Sequence, residues 1–142
     1  MIYFFAALIL LGVLITIHEF GHFIVARFFN IYVQRFSIGM GPVIFKKEDN
    51  SGTEYAISAL PLGGYVKMKG ILDESMDSDF KGSEDELESK NALQKIWVMS
   101  AGVIMNLILT FFVFVLIGNL QGDTRVENNN TTIDYVVPEQ PA

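Results

Sequence analysis

The chain contains no cysteine. That excludes disulfides, thiolate metal sites and a cysteine nucleophile. Any transition metal must then be held by His and carboxylate. Charge is scarce as well: Asp, Glu, Lys and Arg make up 18% of the 142 residues, against 51% hydrophobic ones. A soluble domain of this size has trouble hiding that much apolar surface. No basic residue precedes Arg27. The first apolar stretch therefore lacks the basic start of a signal peptide, and it shows no small-residue cleavage site. Nucleic-acid binding is disfavoured, because no basic face is free of interleaved acids.

What is present begins with two apolar runs. Residues 2–17 carry no charge, and the run resumes at Phe23 after a short polar cluster; residues 96–117 form a second charge-free stretch. A helix needs about 20 mostly apolar residues to cross a bilayer, and both runs qualify. Nine of the ten Lys and Arg lie between residues 27 and 95, and the tenth is Arg125. Basic loops mark the cytoplasmic side. Both ends of the chain are thus expected outside the cytoplasm, with the central loop inside.

The expected fold is a membrane protein, mainly α-helical, with two transmembrane helices and a cytoplasmic-side β-hairpin or small sheet between them. Residues 1–29 form the first helix, with Asn30 as its stop. Residues 30–72 form the hairpin region. Phe36, Ile38 and Met40 alternate there, as do Tyr55, Ile57 and Ala59, on either side of the turn cluster Glu48-Asp49-Asn50-Ser51-Gly52. Pro61 and the Gly63-Gly64 pair read as breaking that pattern. Residues 73–94 read as an acidic, solvated linker. Residues 95–118 form the second helix, with Lys95 and Trp97 as interfacial anchors. Residues 119–142 are a polar tail.

The chemistry sits in His18-Glu19-Phe20-Gly21-His22. Positions i and i+4 of a helix share a face, so two imidazoles can grip one Zn²⁺. Glu19, beside the first ligand, can take a proton from the attacking water and pass it to a leaving amine. Gly21 keeps that face thin enough for another helix or a substrate to approach. Accidental His pairs are common on soluble helices. In an apolar helix, three ionisable groups cost several kcal/mol unless compensated, and such residues are functional by default. The bland alternative is a pair of histidines hydrogen-bonded within a bundle.

His18 lies sixteen residues past Ile2, about 24 Å of helix rise, in the cytoplasmic half of the bilayer. Asn106 lies about 15 Å into the second run, so antiparallel helices can bring it to the depth of the metal. It is either helix–helix glue or a hydrogen-bond donor to substrate backbone and developing oxyanion charge. The hairpin offers a strand edge that can pair with an extended peptide, or it shields the site as structure alone.

These residues resemble the site-2 protease family of intramembrane zinc metalloproteases. The resemblance is carried by the HEFGH motif at 18–22, by Arg35-Phe36-Ser37-Ile38-Gly39, by the run from Gly52-Thr53-Glu54-Tyr55 to Leu60-Pro61-Leu62-Gly63-Gly64-Tyr65-Val66-Lys67-Met68, and by the small-residue start of the second helix leading to Asn106. It implies a bacterial inner-membrane enzyme that cuts transmembrane segments of partner proteins, of the anti-sigma-factor type. It implies zinc at His18 and His22, Glu19 as the catalytic carboxylate, and a membrane-associated hairpin. Gly63, Gly64, Tyr65 and Asn106 become the candidate substrate contacts, and residues 136–142 resemble the opening of a PDZ domain. Two departures stand out. The family usually has Gly-Pro where this chain has Gly102-Val103. Its third zinc ligand is an Asp in a later membrane helix, within a Leu-Asp-Gly type motif, and Leu72-Asp73-Glu74 is not that motif. The chain therefore reads as an N-terminal portion, expected to cut little or nothing alone. The alternative function is a truncated, inactive membrane homologue that binds partner helices without cleavage.

Overall fold

A computed structural model describes residues 1–70 and 82–121. Helix α1 spans Ile2–Phe28, strands β1 and β2 span Val33–Glu48 and Glu54–Met68, a 3₁₀ turn covers Leu87–Ser89, and helix α2 spans Ala92–Gln121. Both α1 and α2 are long and apolar enough to cross a membrane. Large apolar side chains such as Phe111, Phe112 and Phe114 point outward from α2, which suits a helix solvated by lipid rather than water. The expected tail beyond residue 121 lies outside the described residues.

Local chemistry sets the helix ends. Asn30 adopts a left-handed φ of 53°, a conformation Asn tolerates and one that stops a helix. The Ile31 N–H then donates back to the Ala26 carbonyl at 2.9 Å. At the start of α2 the Asn91 side chain accepts from the Gln94 N–H at 2.9 Å. The Gln94 side chain accepts from the Asn91 N–H at 3.1 Å. This reciprocal cap satisfies two donors that an open helix end leaves bare.

The region between the helices holds more sheet than the sequence suggests. Strands of 16 and 15 residues stand against helices of 27 and 30, so "mainly α-helical" overstates the helix. The two strands pair antiparallel as a whole, and each is bent. Gly39 and Gly41, at φ 86° and 83°, turn the corner in β1; Gly63, at φ 92°, turns the one in β2. Only glycine takes such angles without strain. Pro61 and Gly63, read from sequence as breaks, are thus a corner within one strand. The bends fold each strand into two legs, and the four legs lie side by side with those of the two strands alternating. Residues 35–38 face residues 64–67 on one flank, with numbering running in opposite directions. On the other flank they face residues 54–57, where the numbering rises together. Residues 54–58 in turn pair with residues 43–48. Register shifts at the bends absorb the extra residues.

The sheet lies along α1. At its tip, a Cβ on Gly12 would strike the Pro61 carbonyl. Further along, Phe20 and Phe23 pack on Phe36 with ring centroids 6.0 and 5.2 Å apart. At the far end Arg27 donates to the Thr53 hydroxyl at 3.0 Å. From Gly12 to Arg27 the helix rises about 22 Å, so the sheet reaches deep into the level that α1 occupies in a bilayer. The buried core sits at the opposite end from that tip: Ala26, Ile31, Val33, Met68, Leu87 and Val98. Leu87 comes from the segment expected to be solvated linker. Residues 82–91 instead dock on the sheet, because Glu86 is fully buried and the Lys69 ammonium reaches Asp85 at 2.8 Å. The rest of that linker, residues 73–81, lies outside the described residues.

The turn between β1 and β2 is held by one carboxylate. Asp49 accepts from the backbone N–H groups of Thr53 and Ser51 at 3.0 and 2.8 Å and lies 3.6 Å from the Arg27 guanidinium. The Thr53 amide first, and then Ser51 and Arg27, hold its carboxyl below the usual carboxylate range against an opposing effect of burial. A depressed folded value means that the stabilisation is present above the unfolded carboxyl range. It is lost as pH falls through the folded one. Acidification below the ordinary Asp range should therefore speed hydrogen exchange at the Thr53 and Ser51 amides before the α1 core exchanges. Simultaneous loss of protection in both places would contradict this local role.

Candidate metal centre

Two neighbours approach α1 through its glycines. The sheet corner meets Gly12, and α2 meets Gly21, where a Cβ would lie 2.5 Å from the Ala101 carbonyl oxygen. His18 and His22 face the same helix, α2. The His22 Nδ1 lies 2.7 Å from the Val98 carbonyl oxygen. A carbonyl only accepts, so Nδ1 carries the proton and Nε2 carries a lone pair. That Nε2 lies 3.2 Å from the Nε2 of His18.

This spacing is a test of metal binding. Two nitrogens each about 2.0–2.1 Å from a tetrahedral zinc ion stand about 3.3 Å apart. The pair already has that separation. The Nδ1–H to carbonyl bond at His22 is also the outer contact that metal-ligating histidines usually make, because it fixes tautomer and ring orientation. The two imidazoles therefore fit zinc. Among the described residues no third His, Cys or carboxylate joins them, and zinc sites ordinarily take at least three protein ligands.

Glu19 lies on α1 beside His18, half-buried, and no hydrogen bond or ion pair ties it to any described residue. A carboxylate so placed is free to meet a water. Asn106 is brought to the site by α2, with its amide Nδ2 3.4 Å from the Nδ1 of His18 and its Oδ1 buried without a partner. It thus touches His18 directly. Gly63 is buried against Ile15, and its carbonyl accepts from the Thr16 hydroxyl at 3.1 Å. That places the β2 corner within one helical turn of His18. Gly64 is buried in the sheet opposite Ile38, where a Cβ would collide with the Ser37 carbonyl. The Tyr65 hydroxyl accepts from Arg35 at 3.0 Å. Gly63 is therefore at α1, whereas Gly64 and Tyr65 belong to the sheet.

Two further contributors had little sequence signal. Val98 acts through its backbone oxygen, which no side-chain letter reveals. Gly102 acts by what it lacks: a Cβ there would run into the Nε2, Cδ2 and Cε1 atoms of His18. The available hint was the small pair Ala101-Gly102 at the depth of the motif.

A helical His-Glu-x-x-His site on a membrane-length helix defines the metallopeptidase class to compare. The sequence profile of peptidase family M50 matches residues 6–140, and the chain belongs to that family, the site-2 proteases. It is 43% identical over 140 residues to a Clostridium perfringens protein provisionally named a zinc metalloprotease, covering 99% of this chain and 38% of that one. It is 41% identical over 112 residues to a Yersinia pestis protein named protease RseP, covering 79% of this chain and 24% of the relative. A Haemophilus influenzae regulator of sigma E protease is 44% identical over 110 residues, covering 78% and 24%. The chain spans between a quarter and two fifths of the length of these relatives.

Replacing Gly102 with Ala should weaken zinc binding by about tenfold or more, the scale of disturbed ligand orientation. Gly118, on the same helix with open space around it, is the control, and Gly118→Ala should leave zinc binding unchanged. Ala favours a helix over Gly by roughly 0.5–1 kcal/mol, so weaker binding in Gly102→Ala would not come from a failing helix. Zinc titration of both variants by calorimetry reads the difference, and equal affinities would remove the clearance role of Gly102.

Proposed function

We propose that this chain supplies the first metal-binding helix and the substrate-holding sheet of an intramembrane zinc endopeptidase of the RseP type. Such an enzyme hydrolyses peptide bonds within transmembrane segments of partner proteins, an anti-sigma factor being the kind of substrate implied. The observation that carries this reading is the convergence of the His18 and His22 Nε2 atoms to 3.2 Å on an apolar, membrane-length helix. Zinc, when bound there, would act as a Lewis acid that makes water a nucleophile near neutral pH and polarises the scissile carbonyl.

The rest is the work of the chain. His18 and His22 hold the metal, oriented by α2. Glu19 removes a proton from the attacking water and delivers it to the departing amine, so that no net proton is gained or lost. Among the described residues, the leg at 64–67 has a strand partner on one side, and its other edge suits an extended peptide. Gly63 ties the start of that leg to the turn of α1 just before His18, and Gly64 and Tyr65 follow it in the sheet. The third protein ligand has to come from outside the described residues, so the stretch described here is not expected to cut by itself. In this reading the protein sits in the bacterial inner membrane, with the sheet on the cytoplasmic side and both ends of the stretch periplasmic.

The deciding comparison is cleavage of a model transmembrane substrate by the full-length gene product and by its Glu19→Gln variant. General acid–base catalysis contributes roughly 10²–10⁴-fold, and a loss of that order is expected with zinc content unchanged. Equal cutting by both proteins would remove Glu19 from the reaction. No cutting by either, despite bound zinc, would favour a membrane module that binds helices without cleaving them.

A further inference from the structure

Asn106 is half-buried, and among the described residues at the site its Oδ1 is the one buried side-chain atom without a partner. Its Nδ2 faces the His18 Nδ1 at 3.4 Å, and its Oδ1 has no partner. Taken as placed, the amide donates to Nδ1, which leaves the His18 proton on Nε2. That proton points at the His22 Nε2 lone pair 3.2 Å away. The arrangement is self-consistent, but it closes the site: a protonated Nε2 has no lone pair for a metal.

The alternative arrangement is one torsion away. A half-turn of the Asn106 amide exchanges oxygen and nitrogen, which differ little in size or density. The orphaned Oδ1 would then face Nδ1 and could only accept. The His18 proton would move to Nδ1, and Nε2 would present its lone pair beside that of His22. Two lone pairs facing each other at this distance repel unless a cation lies between them. Among the described residues, no other side chain hydrogen-bonds to the His18 Nδ1. We propose that Asn106 is a positioning residue which selects the ring nitrogen of His18 that carries the proton, turning its oxygen to Nδ1 as Nε2 takes the metal. The His18 ring stays neutral throughout: one proton leaves Nε2 for solvent and one arrives at Nδ1. With Val98 serving His22 in the same way, α2 would orient both ligands. The proposal deepens the zinc reading and depends on it.

The experiment uses the chain in detergent micelles with ¹⁵N-labelled histidine, at a pH where both imidazoles are neutral. Two-bond ¹H–¹⁵N correlations report which ring nitrogen is protonated. His22→Ala assigns the signals, since the chain has two histidines. Zinc is then titrated into wild type, Asn106→Leu, Asn106→Asp and His18→Ala. With zinc, wild type should show His18 protonated at Nδ1. Asn106→Leu should bind zinc about 10–100-fold more weakly, the usual effect of losing an outer partner of a ligand. Asn106→Asp, whose carboxylate can only accept, should favour the Nδ1–H form even before zinc is added and keep wild-type affinity. That gain separates positioning from mere folding damage. Unchanged zinc affinity in Asn106→Leu, or a His18 tautomer indifferent to both substitutions, would overturn the proposal and leave the zinc site standing. Zinc uptake unaffected by His18→Ala would sink the zinc reading instead, and the proposal with it.

Discussion

Two imidazole nitrogens 3.2 Å apart at membrane depth form the constraint around which the rest of the molecule is arranged. Histidine side chains on a lipid-facing helix would be costly, and the cost falls only if every polar atom finds a partner. The chain meets that demand from one side. A single neighbouring helix supplies a carbonyl to His22, an amide to His18 and a bare Cα where the His18 ring needs room. The two remaining ring nitrogens are left turned toward each other 3.2 Å apart, a spacing that also suits two ligands of one zinc ion.

The placement of the other elements follows from how α1 is shared. Gly12 and Gly21 are nine residues apart, which at 100° per residue puts them about 180° apart around the helix. One admits the sheet corner, the other admits α2. Helix α1 is therefore clasped from opposite sides, with His18 between its two points of close approach, His22 just past the second, and both histidines turned toward α2. Aromatic packing of Phe20 and Phe23 on Phe36 and Tyr55 and the Arg27 contacts with the β1–β2 turn extend the sheet-side seam to the end of the helix. A scaffold so fixed restricts the ring orientations, and a preorganised site needs its groups within about 0.5 Å of the productive geometry.

Much of this was legible in the letters. The HEFGH spacing, the two charge-free runs and Asn30 at the end of the first helix need only helical periodicity and left-handed tolerance. The sheet was legible only in part. Pro61 and Gly63-Gly64 read as breakers because local propensity punishes them in a strand. In the folded chain, the same residues make the bend that lays four legs side by side. Composition misread residues 82–91 for a related reason. An acid-rich segment looks solvated, yet Glu86 and Leu87 are buried once Lys69 and Ser83 are in place to receive them. The Ser83 contact is local, but Lys69 lies on the far side of residues 71–81 in sequence, so the acid-rich segment read alone does not reveal it. The Val98 carbonyl was unreadable in principle, because every residue carries one.

The proposed reaction would require the bent sheet and the histidine pair to share a helix. A transmembrane substrate keeps its peptide groups bonded to one another, and opening its helix in lipid strands donors and acceptors at several kcal/mol each. An enzyme that acts there has to offer replacement partners where the unwound backbone meets the nucleophile. The β2 corner is pinned to α1 by the Thr16 hydroxyl on the Gly63 carbonyl, two residues or about 3 Å of rise before His18. A peptide added to the edge that begins there would exchange its helical bonds for strand bonds as it reached the level of the imidazoles. Held away from α1, the same sheet would stabilise an unwound segment out of reach of the metal. Without the sheet, the metal would face a helix whose carbonyls are already occupied. Bends that look like defects in a strand are thus what lets one short sheet reach from the Arg27 end of α1 to the depth of the histidines.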